Sequence, residues 1–148
     1  MEWWPVGLVL FAAALLPAQA ACNAAIYRAV GHPIATILIS LTGSLVAITA
    51  FGVVSGRLAG IPGVRFGAVP WWAWGAGLGG AFFVAAQSMA VPRLGAALFT
   101  ALAVTGQVAM ALTLDHFGAL GVPMHPAVPL RLLGAVLIIA GMVLVARF

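Results

Sequence analysis

Five stretches of about twenty apolar residues, almost without charge inside them, confine this chain to a membrane. A hydrocarbon core about 30 Å thick is crossed by about 20 residues of helix, and backbone left irregular in lipid would strand its polar groups without partners. The stretches run Val6–Tyr27, Ile34–Gly56, Trp71–Val91, Leu94–Leu114 and Val128–Ala146, divided by short arginine-, proline- and glycine-bearing connections. Composition agrees: 65% of the 148 residues are hydrophobic and 5% charged, against about 25% charged in a soluble domain. The expected fold is all-α, a single multi-pass domain over residues 1–148 with five transmembrane helices and the lipid bilayer as its first partner.

The segment Pro17–Asn23, PAQAACN, has two opposed readings. Ala18-Gln19-Ala20 resembles the small-residue end of a secretory signal, yet the chain begins MEWWP, with an acid where such a signal carries positive charge. Tryptophans at headgroup level suit a retained span, so the segment is read as part of the first helix. Cys22 is the single cysteine and has no partner for an internal disulfide.

Orientation follows the arginines flanking the spans, since cytoplasmic loops carry the excess. Arg57, Arg65 and Arg131 fall on the side of the N-terminus, and Arg28, Arg93 and Arg147 on the other. The two sides balance. All five tryptophans (Trp3, Trp4, Trp71, Trp72, Trp74) nevertheless lie on the first side. Two copies inserted in opposite senses would place an aromatic belt on each face. The pattern therefore suggests an antiparallel, dual-topology homodimer of ten helices, which recreates the inverted repeat of many secondary transporters. Chance scatter of six arginines gives the same count.

Inside the spans the informative residues are carboxamides, because a polar group in hydrocarbon must find a partner or line a cavity. Gln19 and Asn23 lie one turn apart on one face of the first helix. Gln87 stands beside Ser88 in the third, and Gln107 in the fourth, with Thr100 nearly on its face. Together Gln19, Asn23, Gln87 and Gln107 are the candidate binding residues for a small polar or zwitterionic solute. The same groups can instead hydrogen-bond neighbouring helices, at about 0.6 to 2 kcal/mol each. Gly75, Gly77, Gly79 and Gly80 offer close helix approach or a sliding face, and Pro17 a kink in the first helix.

Asp115 and His116 close the fourth span. They are candidates for a gate or a proton-sensing pair; alternatively Asp115 pairs with Arg131 or caps the following loop. His32 and His125 sit beside prolines as surface residues, and three histidines so dispersed give no metal-ligand spacing. There is no lysine, no nucleophile motif, no phosphate loop and no pair of acids placed for hydrolysis. An enzyme, a cofactor protein and a nucleic-acid binder are not expected.

In order along the chain come Gln19-x-x-x-Asn23, GHPIATILIS with Gly43, PWWAWGAGLGG, LGAALFTALAVTGQ, LDHFG and RLLGAVLIIAG. In this succession the sequence resembles the short five-helix, YdcZ-like branch of the drug/metabolite transporter (DMT) superfamily, over nearly its whole length. The resemblance implies a bacterial inner-membrane protein with half of a ten-helix transporter fold, in a family whose members occur as single dual-topology chains, paired paralogous chains or fused tandem copies. Gln19, Asn23, Gln107, Asp115 and His116 stand at family-pattern positions, and the expected function is alternating-access transport of a small-molecule solute. The small multidrug exporters of the superfamily carry a glutamate in the first helix. Here Gln19 and Asn23 stand in that helix without any acid, which argues against proton-coupled export of cations by that mechanism. A non-transporting membrane scaffold, or a small dual-topology channel, remains the competing reading.

Overall fold

A computed structural model describes residues 3–63 and 65–148. Its regular structure is helical: α1 Trp4–Val30, α2 Pro33–Val54, α3 Ala76–Leu94, α4 Ala96–Phe117 and α5 Pro129–Arg147, with short 3₁₀ turns between α2 and α3 and after α4. Five segments are long and apolar enough to cross a membrane, the third running from Trp71 to Leu94 through a 3₁₀ lead-in. Each expected span is present.

The helix ends follow local chemistry. Prolines open α1, α2 and α5 at the first positions, where no intrahelical N–H is needed. Gly31 (φ 65°) and Gly118 (φ 60°) close α1 and α4 in the left-handed conformation. Arg28, Arg93 and Arg147 lie in the last turns of α1, α3 and α5, where the helix dipole favours a cation.

One boundary differs from expectation. The sequence places the break between the third and fourth spans at Pro92-Arg93, but α3 continues through Pro92 to Leu94 and the chain turns at Gly95 (φ 80°, ψ 159°). A proline in the final turn removes a single hydrogen bond, to the Ser88 carbonyl, whereas the backbone angles at Gly95 are accessible only to glycine. α1 likewise runs unbroken through Pro17. α2 ends two residues earlier than expected, and α4 extends past Leu114 to include Asp115 and His116.

The chain gathers into two compact units, Met1–Arg93 and Leu94–Phe148. In the first, α1 and α2 form an antiparallel hairpin through Gly31 and His32, and α2 meets the 3₁₀ turn Arg57–Gly63, where Leu58 Cδ1 would lie 3.0 Å from a Cβ at Gly52. In the second, α4 packs on α5.

Candidate functional site

Burial divides the carboxamides. Asn23 is 2% exposed and Gln87 1%, while Gln19 and Gln107 are exposed. Among the described residues, the buried set is Ala20, Asn23 and Ala24 of α1, Thr36 of α2, and Val84, Gln87, Ser88 and Val91 of α3. The α1 residues fall at i, i+3, i+4, and those of α3 at i, i+3, i+4, i+7. Each helix therefore buries one stripe. Half of the set is polar, the reverse of an ordinary core.

The polar members differ in how they are satisfied. Thr36 Oγ1 donates to the His32 carbonyl at 3.1 Å, and Ser88 Oγ to the Ala85 carbonyl at 2.8 Å. Their hydrogens are thereby committed to their own helices, leaving oxygen lone pairs free to accept. The nitrogens Asn23 Nδ2 and Gln87 Nε2 are buried and have no hydrogen-bond partner. Leaving a buried donor unmade costs about 1 to 3 kcal/mol.

Asn23 is seven residues from Val30 at the end of α1, and Gln87 is seven residues from Leu94 at the end of α3. At 1.5 Å per residue each carboxamide lies about 10 Å along the helix from the end of its own span. Thr36, which sequence reasoning does not single out, enters the buried set from the first turn of α2. Its only sequence signal is a hydroxyl just inside the proline that opens an apolar span.

Gln19 stands one turn before Asn23, so a single polar stripe of α1 passes from a buried residue to an exposed one. Gln107 is exposed near the centre of α4. A carboxamide facing hydrocarbon is unfavourable. A Cβ placed at Gly75, Gly77, Gly79, Gly80, Gly106, Gly134 or Gly141 would meet no described atom within 4 Å.

The α4–α5 unit holds a polar clasp. Arg131 Nη1 pairs with Asp115 Oδ2 at 3.3 Å and donates to the His125 carbonyl at 3.2 Å. The His125 N–H donates to the Asp115 carbonyl at 2.7 Å, and the Ala127 N–H to His116 Nδ1 at 3.2 Å. The pairing of Asp115 with Arg131, one of the two readings of that acid, is thus formed. His116 uses a ring nitrogen as an acceptor and stacks edge-on against Phe117 at 4.8 Å. A groove of about 340 Å³ lies beside it, lined by Leu112, Thr113, His116, Phe117, Ala127 and Leu132 among others. His32, at the start of α2, and His125 are exposed, and a ring nitrogen of each meets nearby backbone, the Ala35 N–H and the Pro123 carbonyl respectively. No cluster of metal-ligating side chains occurs among the described residues.

The family described as "Putative inner membrane exporter, YdcZ" matches residues 4–144. No curated protein and no solved structure matches the chain. The family description and the five apolar helices identify a multi-pass inner-membrane protein. A match spanning all five membrane helices carries the conclusion: the chain belongs to the YdcZ family of the DMT class.

Proposed function

We propose that the protein exports a small polar solute by alternating access, as an antiparallel homodimer with dual topology. The observation that supports this best is the pair of buried carboxamides, Asn23 and Gln87, whose amide nitrogens meet no protein acceptor. Helix-stabilising amides would be bonded to a neighbour; these are left open to a partner from outside the chain. Gln19 continues the Asn23 stripe to the surface, and Gln107 presents a second exposed carboxamide at mid-span. A second copy covering these surfaces would remove both from lipid and bring them to a shared central site.

The balance of Arg57, Arg65 and Arg131 against Arg28, Arg93 and Arg147 supports insertion in both senses. The open glycine positions of α3 supply a surface able to slide against a second copy. Asp115 and His116, held at the end of α4 by the Arg131 clasp, act as the gate at one mouth. A paralogous chain of opposite orientation would meet the same geometric need.

The test is the orientation of the C-terminus. A single cysteine placed after Arg147, with Cys22 replaced by Ala, is labelled from each side of intact cells with an impermeant maleimide. Comparable labelling from both sides is expected. Labelling from one side only would overturn the homodimer and leave an oppositely oriented partner chain or a scaffold.

A further inference from the structure

The buried residues of α1, α2 and α3 bear on the kind of solute a transporter of this sequence could take. We infer that Asn23 and Gln87 recognise an uncharged, oxygen-rich solute through their unpartnered amide groups, and that the protein does not carry organic cations. The inference rests on the transporter reading above and names the substrate class of its site.

The argument begins with the charges. The buried set holds no titratable side chain: it consists of Ala20, Ala24, Val84, Val91, Thr36, Ser88, Asn23 and Gln87. Among the described residues the only acid is Asp115, and it is paired with Arg131. A cation moved from water to this layer would lose its hydration with no carboxylate to replace it. A carboxylate would find amide donors but no opposing cation. A neutral solute carries neither penalty.

Donors and acceptors then narrow the class. Asn23 Nδ2 and Gln87 Nε2 are both buried without a partner, each about 10 Å along the helix from the end of its own span. The hydroxyl hydrogens of Thr36 and Ser88 are turned to their own helices, so these oxygens can only accept. A solute bearing several hydroxyl groups, with or without a carbonyl, can accept from the amides and donate to the hydroxyl oxygens. Sugars and polyols have this chemistry, and tetraalkylammonium ions have none of it. Neighbouring Ala20, Ala24, Val84 and Val91 add small apolar contacts suited to the C–H faces of such a molecule.

The test uses the full-length protein in lipid nanodiscs and radiolabelled xylitol, ribose, N-acetylglucosamine and tetraethylammonium as probes. Saturable binding of at least one uncharged probe is expected, weakened tenfold or more in Asn23→Leu and in Gln87→Met. Gln87→Met keeps roughly the side-chain volume and Asn23→Leu the branched shape, and each removes a donor that bonds nothing in the protein. Gln87→Met is therefore expected to unfold at the parent temperature or above it, which separates lost recognition from lost folding. A fall in melting temperature in both variants would make the carboxamides structural and overturn the inference. So would saturable tetraethylammonium binding, failure of all three uncharged probes to bind, or uncharged binding indifferent to both substitutions. The solute class and the transporter reading fail separately. Tetraethylammonium flux with two-sided C-terminal labelling overturns the class alone, whereas one-sided labelling overturns the homodimer whichever probe binds.

Discussion

The guanidinium of Arg131, in the first turn of α5, stands 3.3 Å from the carboxylate of Asp115, near the last turn of α4, and also bonds the His125 carbonyl of the intervening loop. The ion pair thus fastens a loop as well as two helices. Its side chains are 39% (Arg131) and 30% (Asp115) exposed, so solvent screens the attraction and its direct contribution is below about 1 kcal/mol. Arg131→Gln is expected to lower global stability by no more than that, while speeding amide exchange across residues 118–128. Exchange measured by mass spectrometry on the detergent-solubilised protein checks this; unchanged loop protection would show that the pair does not hold the loop.

His116 gives the same loop a side-chain contact, its Nδ1 accepting from the Ala127 N–H at 3.2 Å. In His116→Phe, which keeps an aromatic ring and removes the acceptor, the Ala127 amide, corrected for intrinsic exchange, is expected to lose protection relative to the parent protein. Equal protection in the two proteins would remove His116 from the gate.

Gly95 makes the turn between α3 and α4 with φ 80° and ψ 159°. An L side chain there is strained by about 1 to 3 kcal/mol. Space is not the obstacle, since a Cβ at Gly95 would meet no described atom within 4 Å. Gly95→Ala is expected to lower thermal stability by that amount, whereas Gly75→Ala, at a position with equal room and no positive φ, should change it far less. Similar losses at both sites would contradict the backbone argument.

Transport and assembly separate at the carboxamides. Asn23→Ala or Gln107→Ala is expected to abolish solute efflux while the protein still inserts and dimerises, as read by flux in everted vesicles beside cross-linking yield. Should Gln107→Leu instead weaken the dimer with no solute responding in any flux assay, the scaffold reading gains. Flux that neither saturates nor shows competition would favour a channel.

Much of the fold is legible in the amino-acid sequence. Arginine, proline and glycine mark all five spans, because a break in hydrophobic length is what a bilayer detects. Gln19, Asn23, Gln87 and Gln107 stand out because carboxamides are conspicuous in apolar helices. The turn at Gly95 is less legible, since Pro92 is the stronger local signal yet in a last turn removes only one hydrogen bond. Thr36 escapes notice because a hydroxyl that bonds its own helix is unremarkable in sequence.

Residue order alone therefore sets the axial coordinate: how many helices cross, where each begins, and how deep each polar residue lies. The rotational coordinate is a property of the packed helices. In a soluble helix the buried face is apolar and the exposed face polar; in lipid both faces are apolar, because the solvent is as hydrocarbon-like as the core. Nothing in the spacing of Gln19 and Asn23 says which of them is buried. Packing turns Asn23 and Gln87 inward with open amide nitrogens, and leaves Gln19 and Gln107 facing outward.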